Sequence, residues 1–400
     1  LTIGIDARAA SEVQAGRGRV VRELLRALAE RSDDRQRYVL YARTRWDETT
    51  LDERFRWALV GAADPWWHLL TARRANRECD VFLSSNSYLT VWFLRIPAVP
   101  VVYDMTTFEP SMRPNRRSTL IERATLGVAV RRAAGIVAIS QATADALAAR
   151  YPRAAALTRV APLAVPAALG EAPQPSAAPT TRPAPIASAV PLGASAGPVQ
   201  TPASAPSSAA APVAGDDALP PPGFVLAVGT LEPRKNLPRL VEAYTQLPAP
   251  VQREHPLVVV GALGWETGPT LSAIDSLGDR AVRLGHVSDR QLAELYRRCA
   301  LFCYPSLGEG FGLPVLEAMA AGAAVITSNL SSLPEVGGDA VEYVDPFDTA
   351  DLARALERLL GSPERRAELG RLARQRAAAF SWQRTAESTL AVLEDAAAHG

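Results

Sequence analysis

Two glutamates eight positions apart, Glu309 and Glu317, flank a glycine-rich turn in SLGEGFGLPVLEAMAAG, residues 306–322. Gly308, Gly310 and Gly312 let the backbone approach a ligand closely, and Pro314 suits the first turn of a helix. A helix N-terminus offers free amides that favour anionic or polyhydroxylated ligands. Carboxylates on either side accept hydrogen bonds from hydroxyl groups, which suits a sugar. Alone, the pattern is equally that of a surface turn leading into a helix.

A second loop shifts the balance. GTLEPRKNL, residues 229–237, follows another apolar run and sets Arg234 beside Lys235, the single lysine among 43 basic residues. Adjacent cations at a strand end can neutralise a diphosphate. Gly229 and Thr230 open that loop, while Gly16 and Gly18 in AGRGRVVREL precede a helix and can approach the same phosphates from the other half of the chain. In VVYDMTTFEP, Asp104 can orient a hydroxyl and Tyr103 can donate to one; the alternative is a core tyrosine beside a turn-capping aspartate. SSNSY, residues 84–88, places Asn86 among hydroxyls at a strand end, where a plain polar loop is an equal reading. His68, His255, His286 and His399 are scattered and read as structural or surface residues, which argues against a zinc hydrolase.

These loops need a frame. Four hundred residues imply two domains of about 150 residues each plus connecting chain. With 43 basic and 42 acidic residues there is no global field to draw nucleic acid. Cys79, Cys299 and Cys303 have no metal-ligand spacing and read as reduced core thiols. No run of about eighteen apolar residues occurs, and LTIGIDARAA does not resemble a signal peptide, so the expectation is a cytoplasmic protein. Residues 169–222, rich in Pro, Ala and Ser, read as a disordered linker.

On either side, apolar runs alternate with amphipathic stretches. LTIGID, DVFLSS, VPVVYDM and GIVAIS precede the linker; GFVLAVGT, PLVVVGA, AVRLGHV, LFCYPS and AAVITSN follow it. That alternation predicts an α/β fold with two parallel sheets, hence two Rossmann-like domains facing across a cleft, with ligands at the carboxyl ends of the strands. The expected division is 1–168, the linker 169–222, 223–381, and a final helix over 382–400.

With EGFGLPVLE and GTLEPRKN in hand, the chain resembles the retaining glycosyltransferases of family 4, of the two-Rossmann GT-B fold, over nearly everything outside the linker. The resemblance implies that Glu309 contacts donor-sugar hydroxyls, Glu317 the ribose, and Arg234 with Lys235 the diphosphate. It implies that Gly310, Phe311, Gly312 and Leu313 line the sugar and phosphates by their backbone, and that Val287 in GHVSD meets the base. It also implies front-face transfer with retention and no bound metal or cofactor, in keeping with the lack of an Asp-x-Asp motif. FSWQRTAESTLAVLEDAAA resembles the helix with which this fold crosses back to the N-terminal domain. Tyr103-Asp104 stands where many relatives have His-Asp, which leaves no imidazole there.

The implied activity is hexosyl transfer from a nucleotide sugar, GDP-mannose ahead of UDP-glucose or a dTDP-sugar, to a saccharide or lipid-linked saccharide in polysaccharide or glycolipid assembly. A sugar-nucleotide epimerase and a non-catalytic nucleotide-sugar-binding subunit are the alternatives. Arg113, Arg116, Arg117, Arg123, Arg131 and Arg132, with Trp66 and Trp67 near Arg73, Arg74 and Arg77, admit peripheral contact with the inner face of a membrane. A solvated arginine face and core tryptophans are the plainer account.

Overall fold

The computed structural model describes residues 1–13, 16–32, 35–109, 116–170 and 219–399. Thirteen short strands among them form two sheets. The first contains β1 (Thr2–Asp6), β2 (Arg37–Ala42), β3 (Phe55–Leu59), β4 (Val81–Ser84), β5 (Ala98–Val102), β6 (Ile136–Ala138) and β7 (Thr158–Val160), in the order β3-β2-β1-β4-β5-β6-β7. The second contains β8 (Val225–Val228), β9 (Leu257–Val260), β10 (Ala281–Gly285), β11 (Leu301–Tyr304), β12 (Val325–Ser328) and β13 (Glu342–Val344), in the order β10-β9-β8-β11-β12-β13. All pairings are parallel.

Helices cover both faces of each sheet, so VFLS, LVVV, LFCY and VITS are buried along their whole length and need no apolar-polar alternation. On one face of the N-terminal sheet lie the helices Arg17–Ala29 and Trp382–His399; on the other lie Trp66–Glu78, the turn Thr90–Trp92, Arg116–Arg132 and Gln141–Arg150. In the C-terminal half, Asp289–Arg298 begins with a capping box: Ser288 Oγ accepts from the Gln291 amide at 3.2 Å, and Gln291 Oε1 accepts from the Ser288 amide at 3.0 Å.

Two joins hold the halves together. Ala167–Gly170 forms a helical turn against Asp289–Arg298 and Leu313–Ala321, with Leu169 buried. Residues 169 and 170, assigned to the linker from composition, are therefore part of the fold, because a leucine beside an apolar groove finds a core there. At the other end of that segment, residues 219–222 are also described, with Leu219 partly buried against the core, while 171–218 lies outside the described residues, as do Arg113 and the side chains of Arg116 and Arg117.

The second join is the helix Trp382–His399. Trp382 Nε1 donates to the Val165 carbonyl at 2.9 Å, and Gln36 donates to Glu394 at 2.9 Å. Leu390, Val392, Leu393 and Ala396 enter a core that runs through both halves. Leu393 is fully buried, so Leu393→Ala should cost about 2–5 kcal/mol of unfolding free energy in urea denaturation. A loss well below about 1 kcal/mol would mean that the helix is not integral to the N-terminal core.

Candidate functional site

Each sheet order reverses once, between β1 and β4 and between β8 and β11. Strand ends diverge at such points and leave a crevice. The loops that follow β8 and β11 are those of Arg234-Lys235 and Glu309, and they are stitched together. The Arg234 carbonyl accepts from the Leu307 amide at 2.8 Å and from Ser306 Oγ at 3.0 Å; Asn236 Nδ2 donates to the Pro305 and Pro346 carbonyls at 3.1 and 2.8 Å.

At the centre lies Glu309. Its Oε1 accepts from Lys235 Nζ at 2.6 Å, Ser306 Oγ at 2.7 Å and Tyr304 Oη at 2.9 Å, while Oε2 lies 2.6 Å from Arg234 Nη1. The Lys235 ammonium also contacts Tyr304 Oη and lies 4.8 Å from that ring's centroid. Burial pushes the Glu309 carboxyl up, but the charges of Lys235 and Arg234, with the hydrogen bonds, outweigh it and hold the group at about 2. Burial foremost, then the like charge of Arg234, lowers Lys235 against the opposing pull of Glu309. Arg234 is raised: burial works against its charge, and Glu309 more than compensates.

Glu317 lies one helix turn into Leu313–Ala321, nearly buried. Its Oε2 accepts from Tyr296 Oη at 2.9 Å and its Oε1 from Arg19 Nη1 at 3.2 Å. Burial raises its proton affinity, only partly offset by Arg19 and Tyr296. Arg19 comes from the N-terminal half and also meets Asp289.

The two halves enclose a cleft of about 450 Å³. Of the residues expected from sequence, Gly16, Tyr103, Asp104, Gly229, Thr230, Arg234, Lys235, Val287, Glu309, Gly310, Phe311, Gly312, Leu313 and Glu317 line it. Gly18 does not. It sits inside the helix Arg17–Ala29, where a Cβ would stand 1.7 Å from the Val13 carbonyl oxygen, so its small size serves helix packing. Asn86 is not part of the lining; its carbonyl accepts from Arg17 Nη1 at 3.5 Å. Tyr103 is placed there, but its one hydroxyl proton goes to the Ser85 carbonyl at 2.8 Å, so it is not free to donate to a ligand. Asp104 uses Oδ1 to accept from the Thr106 amide at 3.0 Å and from its hydroxyl at 2.5 Å.

Sequence reasoning passed over Arg17, Arg19, Asp289, Tyr296, Tyr304 and Ser306. Tyr304 and Ser306 had a signal, since both sit at the end of LFCYPS leading directly to Glu309. His286, read as structural or surface, is exposed but lines the cleft.

Across the cleft, the Gly310 carbonyl accepts from Ser140 Oγ at 2.6 Å and Thr143 Oγ1 at 3.2 Å. Glu335 accepts from the Gln141 amide at 2.9 Å, at the N-terminus of Gln141–Arg150. A Cβ at Gly310 would stand 1.8 Å from the Tyr103 carbonyl oxygen.

Residues 218–376 match the family model Glycosyl transferases group 1. The O-antigen chain mannosyltransferase B of Escherichia coli is 41% identical over 175 residues, covering 42% of this chain and 45% of that protein. The chain spans less than half the length of the curated relatives it matches. Among solved structures, sucrose-phosphate synthase from Thermosynechococcus elongatus superposes with a TM-score of 0.69 at 19% identity, over 100% of both chains. Anabaena HepE in complex with UDP-glucose gives 0.68 at 16%, over 98% of this chain and 99% of that one. These full-length likenesses establish the two-Rossmann GT-B fold.

Two outcomes follow from this geometry. Glu309 titrates at about 2 in the folded protein against 4.5 when unperturbed, so its stabilisation is fully present above pH 4.5 and is lost as pH falls toward 2. Glu309→Gln removes that dependence, leaves Lys235 without its counter-charge and leaves Arg234 with Glu232 alone, 3.1 Å away. It should be less stable at neutral pH by about 3 kcal/mol and lose less further stability on acidification. Parallel acid limbs for the two proteins in chemical denaturation would refute the assignment. Gly310→Ala, in turn, should force the halves apart and raise the radius of gyration in solution scattering; an unchanged radius would mean that the contact relaxes locally.

Proposed function

We propose that this chain, whose residues 218–376 form a glycosyl transferases group 1 domain, is a retaining hexosyltransferase that uses a nucleotide sugar. The observation that carries the reading is the buried Glu309–Lys235–Arg234 cluster at the crevice between β8 and β11. A carboxylate held ionised accepts hydrogen bonds from donor-sugar hydroxyls, and the two cations it orients meet the diphosphate as charge develops on departure. Pro314 has no N–H, so the amides of Gly312 and Leu313 head the helix Leu313–Ala321 and face the same anion. Glu317 takes the ribose hydroxyls once Arg19 releases it, and the backbone near Val287 meets the base.

In the proposed transfer the bond from the anomeric carbon to the diphosphate oxygen breaks, and the acceptor oxygen bonds to the same face. The acceptor proton passes to the departing phosphate oxygen, so no protein base is required. Asp104 engages only Oδ1 among the described residues, which leaves Oδ2 to orient the acceptor hydroxyl. Cations on the diphosphate take the role that a metal fills elsewhere. A mannosyl donor is favoured because several curated relatives, at 38–41% identity, are mannosyltransferases, although others are D-inositol 3-phosphate glycosyltransferases at 33–36%. The acceptor is a saccharide, free or lipid-linked, and the site of action is cytoplasmic.

The test is calorimetric titration of UDP, GDP and dTDP, each alone and as its sugar conjugate, into the wild type and Lys235→Ala. One nucleotide should bind selectively and lose affinity in the variant. Binding of none at millimolar concentration overturns the reading. With the donor so identified, Lys235→Ala and Glu309→Ala should each lower turnover by about 100-fold or more. Near wild-type turnover in either would remove that residue from the mechanism.

A further inference from the structure

The two cations of the cleft floor are held differently. Lys235 is nearly buried between Glu309 and Tyr304, while Arg234 keeps 21% of its side-chain surface accessible. A guanidinium meets a phosphate well only when its planar fork points at it, so the direction of Arg234 matters as much as its charge.

Three groups set that direction. Nη1 lies 2.6 Å from Glu309 Oε2 and donates to the Gly308 carbonyl at 3.2 Å, and Nη2 donates to Glu232 Oε1 at 3.1 Å. Glu232 uses its second oxygen as well: Oε2 accepts from Trp265 Nε1 at 3.1 Å. A chain of contacts therefore runs from Trp265 through Glu232 and Arg234 to Glu309. The indole has one polar hydrogen, and Glu232 takes it.

Trp265 comes from a third loop, which follows β9. Its backbone is sewn to the loop of Arg234: the Leu231 amide donates to the Ala262 carbonyl at 2.9 Å, the Gly264 amide donates to the Leu231 carbonyl at 3.0 Å, and Leu231 and Leu263 form a parallel bridge. Glu266, next after Trp265, has φ 49°, in the left-handed region that a non-glycine residue holds when its surroundings fix it. At its other end the same loop reaches the cleft. Gly261 and Ala262 line it with Gly285, His286 and Val287, and the Gly261 amide donates to the Gly285 carbonyl at 2.8 Å. One loop thus touches the base end of the cleft and, through Glu232, the cation at the diphosphate end.

We propose, on the transferase reading of the site, that Glu232 and Trp265 are positioning residues that aim the Arg234 fork at the diphosphate of a nucleotide. Neither lines the cleft, so neither is asked to touch the ligand. The sign of a charge effect separates this role from a merely neighbouring charge. A carboxylate beside a phosphate site repels the anion, so its removal alone would strengthen binding. Removal of a group that orients Arg234 weakens binding instead. Trp265→Phe completes the comparison, because it keeps an aromatic ring and the net charge and removes the N–H.

UDP, GDP and dTDP, and the corresponding monophosphates, would be titrated calorimetrically into the wild type, Glu232→Gln and Trp265→Phe. For the base that the wild type selects, the ratio of diphosphate to monophosphate affinity should fall about fivefold or more in each variant. The ratio is taken within one protein, so a change in melting temperature does not obscure it. Tighter diphosphate binding by Glu232→Gln, or an unchanged ratio in Trp265→Phe, overturns the proposal and leaves the transferase reading standing. A wild type that gains nothing from the second phosphate, or binds none of the six nucleotides, removes both.

Discussion

The constraint on which this structure turns is the burial of an ammonium, a guanidinium and a carboxylate within one small volume. Taking such charges out of water costs several kcal/mol each, and the cost is met only if every partner is present in good geometry. Glu309 supplies the counter-charge to both cations, and Tyr304 and Ser306 use the remaining capacity of Oε1. None of these groups can be placed alone. The two loops must arrive together, which the order reversal between β8 and β11 provides, and they must stay together, which Asn236 and the Leu307-Arg234 contact ensure. A compact ammonium suits position 235 because Nζ sits between a carboxylate and a phenol and donates to both.

Contacts between the halves are of two kinds, and the difference bears on motion. Behind the cleft, the helix Trp382–His399 and the turn Ala167–Gly170 join them through apolar core. Across the cleft mouth the contacts are polar: Gly310 with Ser140 and Thr143, Glu335 with the head of Gln141–Arg150, Arg19 with Glu317 and Asp289. Water can replace the exposed contacts of the second kind at little net cost, whereas the buried Glu317 carboxylate gives up Arg19 only to another partner. A permanent hinge with an exchangeable latch is the expected mechanical behaviour. Ser331 and Ser332 connect latch and site, since their hydroxyls bind the Glu309 amide and carbonyl at 2.9 and 3.0 Å just ahead of Glu335.

The architecture was legible in most of the strands buried on both faces, β2 being the exception. LVVV is an uninterrupted apolar run, and LTIGID and AAVITSN carry β-branched residues that end on a polar group. The strands not singled out are β2, β3, β7 and β13. RYVLYA opens on an exposed arginine, FRWAL alternates as an edge strand does, and TRV and EYV are three residues each, fixed by neighbours rather than composition. The site divides similarly. Glu309, Glu317, Arg234 and Lys235 stand in loops whose glycines and spacing carry information. Arg19 and Tyr296 are ordinary helix residues until two distant segments meet at Glu317. Tyr103 and Gly18 misled for a related reason: a residue's type shows what it can bond, while its neighbours decide where that capacity goes.

Charges of both signs line the cleft in equal number among the described residues. Arg17, Arg19, Arg234 and Lys235 face Asp104, Asp289, Glu309 and Glu317, so four cations are met by four carboxylates. The carboxylates occupy the places a polyhydroxylated anion would take: Glu317 holds Arg19 across the gap, and Glu309 holds the two cations beneath it. A nucleotide sugar brings hydroxyls that donate to these carboxylates and phosphates that accept from the cations. It can therefore exchange with the internal pairs group for group, without leaving any buried charge alone. A ligand with phosphates but no hydroxyls would strand the carboxylates, and a neutral sugar would strand nothing but gain little from the cations. On the proposed reading, the arrangement would favour a molecule carrying both.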